Sequence, residues 1–273
     1  MKKFIIIILF LVLNSLVFSQ NRSDFKLNDA ENLISTQNYN DANDLIDNVL
    51  ENEKSNHRAY YLRSKISLEI GNIKGAISEI SMAIKFNEPN DFYFSKRGEM
   101  YLSEKKYAKA FDDFNQAYLL NNSKLEYLLQ KSISEYYLEK NDDALSDIQN
   151  YLKQNADNDL ANYYCALILT KTDKFSESLE LINKSIEKNT SNSEYYLLRA
   201  NIYVKTEKYE LADNDYGMVL DLNPNFAEAY FNRANLRIKQ GNTEGACTDW
   251  QKAMNLKYYK ADEFLKKYCS SNK

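Results

Sequence analysis

Few residues in this chain could carry chemistry. Its 273 residues include three cysteines, one tryptophan and one histidine. Two of the cysteines flank the tryptophan in GACTDWQKAMNLKYYKADEFLKKYC, from Gly245 to Cys269. Cys247 and Cys269 could be joined to each other, ligate a metal or cycle between redox states; the lack of a short C-x-x-C spacing weighs against the last. His57 is alone, so no histidine-based triad or zinc cluster can form around it. There is no Gly-rich phosphate loop. Asn-x-Ser/Thr triplets start at Asn21, Asn121, Asn183 and Asn189, and they matter only in a eukaryotic secretory pathway. The expectation is a protein that is not an enzyme, with no catalytic residue, metal or cofactor.

Composition narrows the class further. Hydrophobic residues at 44% and aromatics at 13% are ample for a packed core, which argues against disorder. Six glycines and two prolines suit long helices better than many short strands. A net charge of −4 argues against a nucleic-acid partner. The opening MKKFIIIILFLVLNSLVFSQ has a basic start at Lys2 and Lys3 and an apolar run from Phe4 to Leu13. Val17-Phe18-Ser19 then resembles a cleavage site before Gln20. The run is about half the roughly 20 residues that span a bilayer, so residues 1–19 read as a cleaved export leader. No later segment is apolar enough to cross a membrane, and a periplasmic or secreted location is expected.

Helices must position whatever remains, and their arrangement follows from an internal period. Small residues recur at Ala42, Ala76, Ala110, Ala144, Ser178, Ala212 and Ala246, always 34 residues apart. Four residues later come Ile46, Ile80, Phe114, Ile148, Ile182, Tyr216 and Trp250. A second small series runs through Ala30, Ser64, Gly98, Ser132, Ala166, Ala200 and Ala234. Two antiparallel helices per unit explain this: small residues let them approach closely, and the large residue one turn on fills the space between pairs. On these residues the chain resembles a tetratricopeptide repeat protein of the exported bacterial type. EYYLLRANIYVKTEKYELADNDYGMVLDLNP and EAYFNRANLRIKQGNTEGACTDWQKAMNL are the best matches, whereas Glu135 and Arg237 depart from the usual aromatic at position 11.

The resemblance implies an all-α, right-handed α-solenoid of seven helix-turn-helix repeats. They are expected at 23–56, 57–90, 91–124, 125–158, 159–192, 193–226 and 227–260, after a short segment at 20–22 and before a capping helix at 261–270 and a tail at 271–273. Position 7 of the repeat is basic at Arg63, Arg97, Lys131, Arg199 and Arg233, and position 23 is acidic in the same five at Glu79, Asp113, Asp147, Asp215 and Asp249. Repeat 5 has Cys165 and Leu181 instead. Charge and counter-charge appear and vanish together, which predicts an ion pair across the two helices of each repeat.

In such arrays positions 2, 5, 9, 12 and 13 of the first helix commonly face a concave groove. Carried over here, they give Leu129, Ile133, Leu197, Phe231, Tyr163 and Leu167, with Tyr136 and Tyr137 adjoining, as an apolar strip expected to bind a partner, the alternative being that several of them pack first helix against first helix. Asn201 and Asn235 would offer polar contacts to an extended peptide, and Lys171, Lys205 and Lys239 a mild basic edge. The carboxylate clamp of chaperone-binding repeats is absent, because Leu197 and Phe231 stand where it needs lysine. The expected function is a non-catalytic scaffold or adaptor for another protein or peptide. The alternative is a structural subunit of an envelope complex that uses convex or terminal surfaces.

Trp250 then becomes the filler of repeat 7, and the segment from Ala261 the start of an uncompleted eighth repeat, covering an apolar face with Phe264, Leu265 and Tyr268. An exported chain can keep a disulfide, and the two cysteines fall on adjacent helices in this scheme. A Cys247–Cys269 bridge is expected, with free buried thiols as the alternative. Cys165 occupies a buried helix position and reads as a small core residue.

Overall fold

The computed structural model describes residues 22–87 and 89–269. The expected leader at 1–19, residues 20–21 and the end from 270 onward, which includes the last residue of the expected capping helix and the tail, lie outside the described residues. Fifteen helices occur among those described, and no strand does. The first helices of the pairs are α1 (22–35), α3 (His57–Glu69), α5 (Asp91–Ser103), α7 (Leu125–Tyr137), α9 (Asp159–Lys171), α11 (Ser193–Lys205) and α13 (Ala227–Lys239). The second helices are α2 (Tyr39–Asn52), α4 (Ile73–Phe86), α6 (Tyr107–Leu120), α8 (Asn141–Leu152), α10 (Phe175–Lys188), α12 (Tyr209–Leu222) and α14 (Thr243–Asn255). A short α15 (Ala261–Tyr268) follows. The fold is an all-α solenoid of antiparallel helix pairs with a capping helix, and each pair starts in the same phase of the 34-residue period.

Two compact units divide the chain, one ending at Leu138 and one beginning at Glu139, so the boundary falls between the two helices of repeat 4. In the first unit α3 packs on α4, α5 on α6, and α6 on α7. In the second, α9 packs on α10, α11 on α12, α13 on α14, and α15 covers α14.

Local chemistry sets the ends of the helices. Asn56, Asn72, Asn90, Asn158, Asn192 and Asn242 each accept a backbone N–H in the first turn of the helix they precede. Such caps stabilise a helix by about 1 kcal/mol each and account for part of the chain's asparagine richness. Between the helices of each pair, position 15 turns left-handed: Gln37, Gly71, Lys105, Glu139, Asp173, Glu207 and Gly241 all have positive φ. Only two are glycine, so five repeats carry the steric cost of that conformation.

The packing follows the small–large pattern. The seven small second-helix residues and the fillers Ile46, Ile80, Phe114, Ile148, Ile182, Tyr216 and Trp250 are all buried. Gly98 faces Phe114, whose ring atoms lie 2.9 Å from where a Cβ would stand; a phenylalanine filler fits that pair only because position 8 carries no side chain. Two of the three serines at position 8 or 20 reach across the helix pair, Ser64 Oγ donating to the Ala76 carbonyl and Ser178 Oγ to the Ala166 carbonyl, both at 2.8 Å, whereas Ser132 Oγ donates to the Leu129 carbonyl of its own helix at 2.7 Å.

Candidate interaction surfaces

Several residues expected to form an open apolar strip are buried. Leu129, Ile133, Leu197 and Phe231 are each no more than 9% exposed. Within each unit, successive first helices pack on one another. Position 5 lies against position 3 of the next repeat, as Tyr61 does on Tyr93 (ring centroids 5.5 Å) and Tyr163 on Tyr195 (5.0 Å). Phe231 has no eighth repeat beyond it and packs instead on Tyr258 and Phe264, at 5.1 and 5.2 Å. What stays accessible in the second unit is the half-buried pair Tyr163 and Leu167. In the first unit, Tyr136 is half-buried and Tyr137 exposed, with Tyr137 stacked on Tyr107 at 4.5 Å and edge-on to Tyr136 at 5.3 Å.

Asn201 and Asn235 do more than the sequence suggested. Asn201 Oδ1 accepts from the Tyr216 hydroxyl at 2.7 Å, and Asn235 Oδ1 from Trp250 Nε1 at 3.3 Å. Indole N–H can only donate, so it must meet the oxygen of Asn235, and the amide orientation is fixed. Each buried filler thus satisfies its polar atom through the position-9 asparagine of its own repeat. The two Nδ2 groups have no acceptor among the described residues and are not buried. They are held donors, one repeat apart.

At position 2, burial and the charge of Glu228 raise the Glu194 carboxyl above its ordinary value. Of the expected basic edge, Lys171 donates to Asn141 Oδ1 at 3.3 Å, and Lys239 Nζ lies 5.8 Å from the Tyr209 ring. In the first unit, Phe92 and Tyr61 form an edge-on pair at 5.3 Å, with Lys96 Nζ 5.8 Å over Phe92 and paired to Glu99 at 2.8 Å. His57 Nδ1 hydrogen-bonds the Tyr93 hydroxyl at 2.8 Å, and burial lowers its pKa, so its setting is a junction between repeats.

Two of the basic residues at position 7, Arg97 and Arg199, form two-way clasps. Arg199 donates from Nε and Nη2 to the two oxygens of Asp215, both at 2.8 Å, and from Nη1 to Asn183 Oδ1 at 2.8 Å. It therefore ties its own second helix to that of the preceding repeat. Arg97 does the same with Asp113 (2.7 and 2.8 Å) and Ser81 (3.1 Å). Arg233 binds Asp249 at 2.8 and 2.9 Å, but the residue sixteen before it is Gly217, which has no side chain to offer. Arg237 takes over that link, reaching Asp249 at 2.9 Å and Asp213 of the preceding repeat at 3.2 Å. Its departure from the usual aromatic is explained by this role. Arg63 lies 3.2 Å from Glu79, too poorly aligned for a hydrogen bond, and donates instead to Asp47 at 2.9 Å. Lys131 pairs with Glu135 one turn on, at 3.2 Å; Asp147 belongs to the other unit, and its pairing with Lys131 stays an expectation.

At the C-terminal end Cys247 and Cys269 are joined in a disulfide, with Cα atoms 5.8 Å apart. Phe264 packs on Trp250 at 5.2 Å and Tyr268 stacks on it at 5.6 Å. Trp250 itself is fully buried. Among the described residues, no cluster of three His, Cys, Asp or Glu side chains is placed to hold a metal ion, and no helix is long and apolar enough to cross a membrane.

Residues 129–193 match the tetratricopeptide repeat family model, and residues 200–241 match the TPR repeat model. No curated protein matches the chain. Among solved structures, a tetratricopeptide repeat protein from Parabacteroides merdae is similar at TM-score 0.68 and 20% identity, over 89% of this chain and 97% of that one. PilF of Pseudomonas aeruginosa is similar at TM-score 0.63 and 15% identity, over 76% and 94%. YrrB, described as having an unusual peptide-binding site, is similar at TM-score 0.55 and 16% identity, over 67% and 95%. At such identities these likenesses concern the fold. Tetratricopeptide repeats are matched in both segments, and over most of its length the chain has an α-solenoid fold similar to that of a tetratricopeptide repeat protein.

Proposed function

We propose that the protein is an exported, non-catalytic scaffold that captures an extended segment of another protein on the face of its first helices. The observation that carries this reading is the pair of held amides, Asn201 and Asn235, whose oxygens are occupied by Tyr216 and Trp250 and whose N–H groups are left to donate. An extended peptide has backbone carbonyls to accept them. Donors already oriented lose little freedom on binding, which favours affinity. Tyr163 and Leu167, half-buried on the first helix of repeat 5, supply apolar contact for side chains of the bound segment. YrrB, of similar fold, is described with a peptide-binding site of its own. Export is supported by the leader-like opening and by the Cys247–Cys269 disulfide, a bond that persists in oxidising compartments.

The test uses Asn201→Asp and Asn235→Asp together. Aspartate keeps an acceptor for Tyr216 and Trp250 but replaces the outward donor with an acceptor. Crosslinking in the native host, followed by identification of the bound protein, should show one dominant partner for the wild-type chain. The double variant should lose at least about tenfold in affinity for it, or about 1.4 kcal/mol, with its melting temperature little changed. Full retention of that partner would overturn the first-helix reading in favour of a structural subunit held through other surfaces. Intact-mass measurement of the exported chain checks the rest: it should begin at Gln20 and be lighter by the two hydrogens of the disulfide.

A further inference from the structure

Repeat 5 lacks the arginine clasp, and a cavity of about 230 Å³ stands in its place. Its walls include Gln149 of α8, Cys165 and Leu169 of α9, and Glu177, Glu180 and Leu181 of α10. The cavity therefore opens among second helices, away from the position-9 asparagines, and is independent of the reading above. Gln149 and Leu181 are the residues sixteen before and sixteen after Cys165. In repeat 6 the same two places hold Asn183 and Asp215, the partners of Arg199. The space that Arg199 fills in its own repeat thus has no occupant from this chain in repeat 5.

The lining indicates what would enter. Cys165 and Leu169 are buried and Leu181 half-buried, which makes an apolar floor suited to an alkyl stem. The rim is exposed and carries Gln149, Glu177 and Glu180. Glu180 is paired with Lys184 at 3.1 Å, whereas Glu177 has no ion-pair partner among the described residues. An apolar floor beneath a negative rim matches a long cationic side chain, which buries its stem and keeps its head at the edge. A volume below the roughly 300 Å³ of small-molecule pockets suits one side chain better than a whole ligand. We propose that this cavity receives an arginine side chain of a partner protein, its guanidinium bonded to Glu177 and to the Gln149 side-chain oxygen, as Arg199 is bonded to Asp215 and Asn183.

The experiment titrates N-acetyl-arginine N-methylamide, and separately its neutral citrulline analogue, into the mature full-length chain with leucine methyl groups labelled for NMR. The arginine compound should shift the Leu169 and Leu181 methyl signals saturably in the millimolar range, and citrulline should not. Glu177→Gln, at an exposed site that leaves the fold intact, should weaken the response about three- to fivefold, as expected for an exposed ion pair. The double variant Cys165→Arg/Leu181→Asp fills the cavity from within and should abolish it. Equal shifts with citrulline, no saturable shift with arginine, or shifts that survive in the double variant would each overturn the proposal.

Discussion

Repeats 5 and 6 are consecutive and share one backbone plan, yet their interiors are held differently. In repeat 6, Arg199 is bonded at three atoms to Asp215 and Asn183, linking three helices. In repeat 5 the corresponding residues are Cys165, Leu181 and Gln149, and a cavity of about 230 Å³ remains. Both repeats keep their helices in phase, α9 starting at Asp159 and α11 at Ser193. The clasp is thus not what sets the backbone; the small–large packing does that. The clasp adds a tether between repeats, and in repeat 5 a cavity stands where it would be.

The largest effect should come from breaking the tether where it exists. Asp215 is 6% exposed at its side chain and Arg199 21%. Asp215→Asn leaves a half-buried guanidinium without its counter-charge and should lower unfolding free energy by about 3 kcal/mol, the low end for a broken buried pair. Urea denaturation measures it. Glu79→Gln in repeat 2, where the pair is 26–30% exposed and misaligned, should cost well under about 1 kcal/mol. Equal losses at the two sites would mean that alignment and burial do not decide the strength of a clasp.

Repeat 5 should respond instead to proton loss. Burial, and then the charge of Glu177, push the Cys165 thiol up to about 11 from its ordinary value of 9.0. The fold therefore favours the protonated thiol. Its contribution is fully present below pH 9 and is lost as pH rises through about 11. A shift of this size corresponds to about 3 kcal/mol. Comparing wild type with Cys165→Ala isolates that contribution from other alkaline titrations, and the stability gap between them should shrink by that amount across the window. A gap that stays constant would show that the thiol titrates as if exposed.

A clasp installed in repeat 5 sharpens the contrast from the other side. Leu181→Asp alone places a carboxylate near Glu177 and Glu180 and should cost about 1–2 kcal/mol. Adding Cys165→Arg should recover much of this, with a coupling energy of about 1–2 kcal/mol in a double-mutant cycle. Coupling below about 0.5 kcal/mol would show that repeat 5 has lost the geometry as well as the residues.

The period made the fold legible. Small residues at 34-residue intervals, with a large one four later, mark both helices of every pair, because close packing needs those sizes at those places. The interaction surface was less legible. A face assignment based on repeat position cannot tell Leu129, which is buried, from Leu167, which is half-open. That depends on how neighbouring side chains of the same unit pack, as Tyr163 does on Tyr195. The roles of Asn201 and Asn235 escaped because the signal is a pairing across 15 residues with a filler that happens to carry a polar atom, Tyr216 or Trp250. The cavity escaped for the opposite reason: a missing side chain leaves no motif, only the exchange of a charged pair for Cys165 and Leu181.

The smallest contrast lies between repeats 6 and 7, at the turn joining their helices. Position 15 is Glu207 in one and Gly241 in the other, with φ of 57° and 79°. A side chain with Cβ in that region costs about 1–2 kcal/mol through its contact with the following carbonyl oxygen, whereas glycine avoids this but gives up more freedom on folding. The net for Glu207→Gly should be a gain of about 0.5–1 kcal/mol. The reverse change, Gly241→Ala, should cost about 1 kcal/mol from strain alone, since a Cβ there would meet nothing within 4 Å. Matched thermal unfolding curves read both. If Glu207→Gly destabilises instead, the loss of chain freedom outweighs the strain, and the five non-glycine turns are the better solution for this fold.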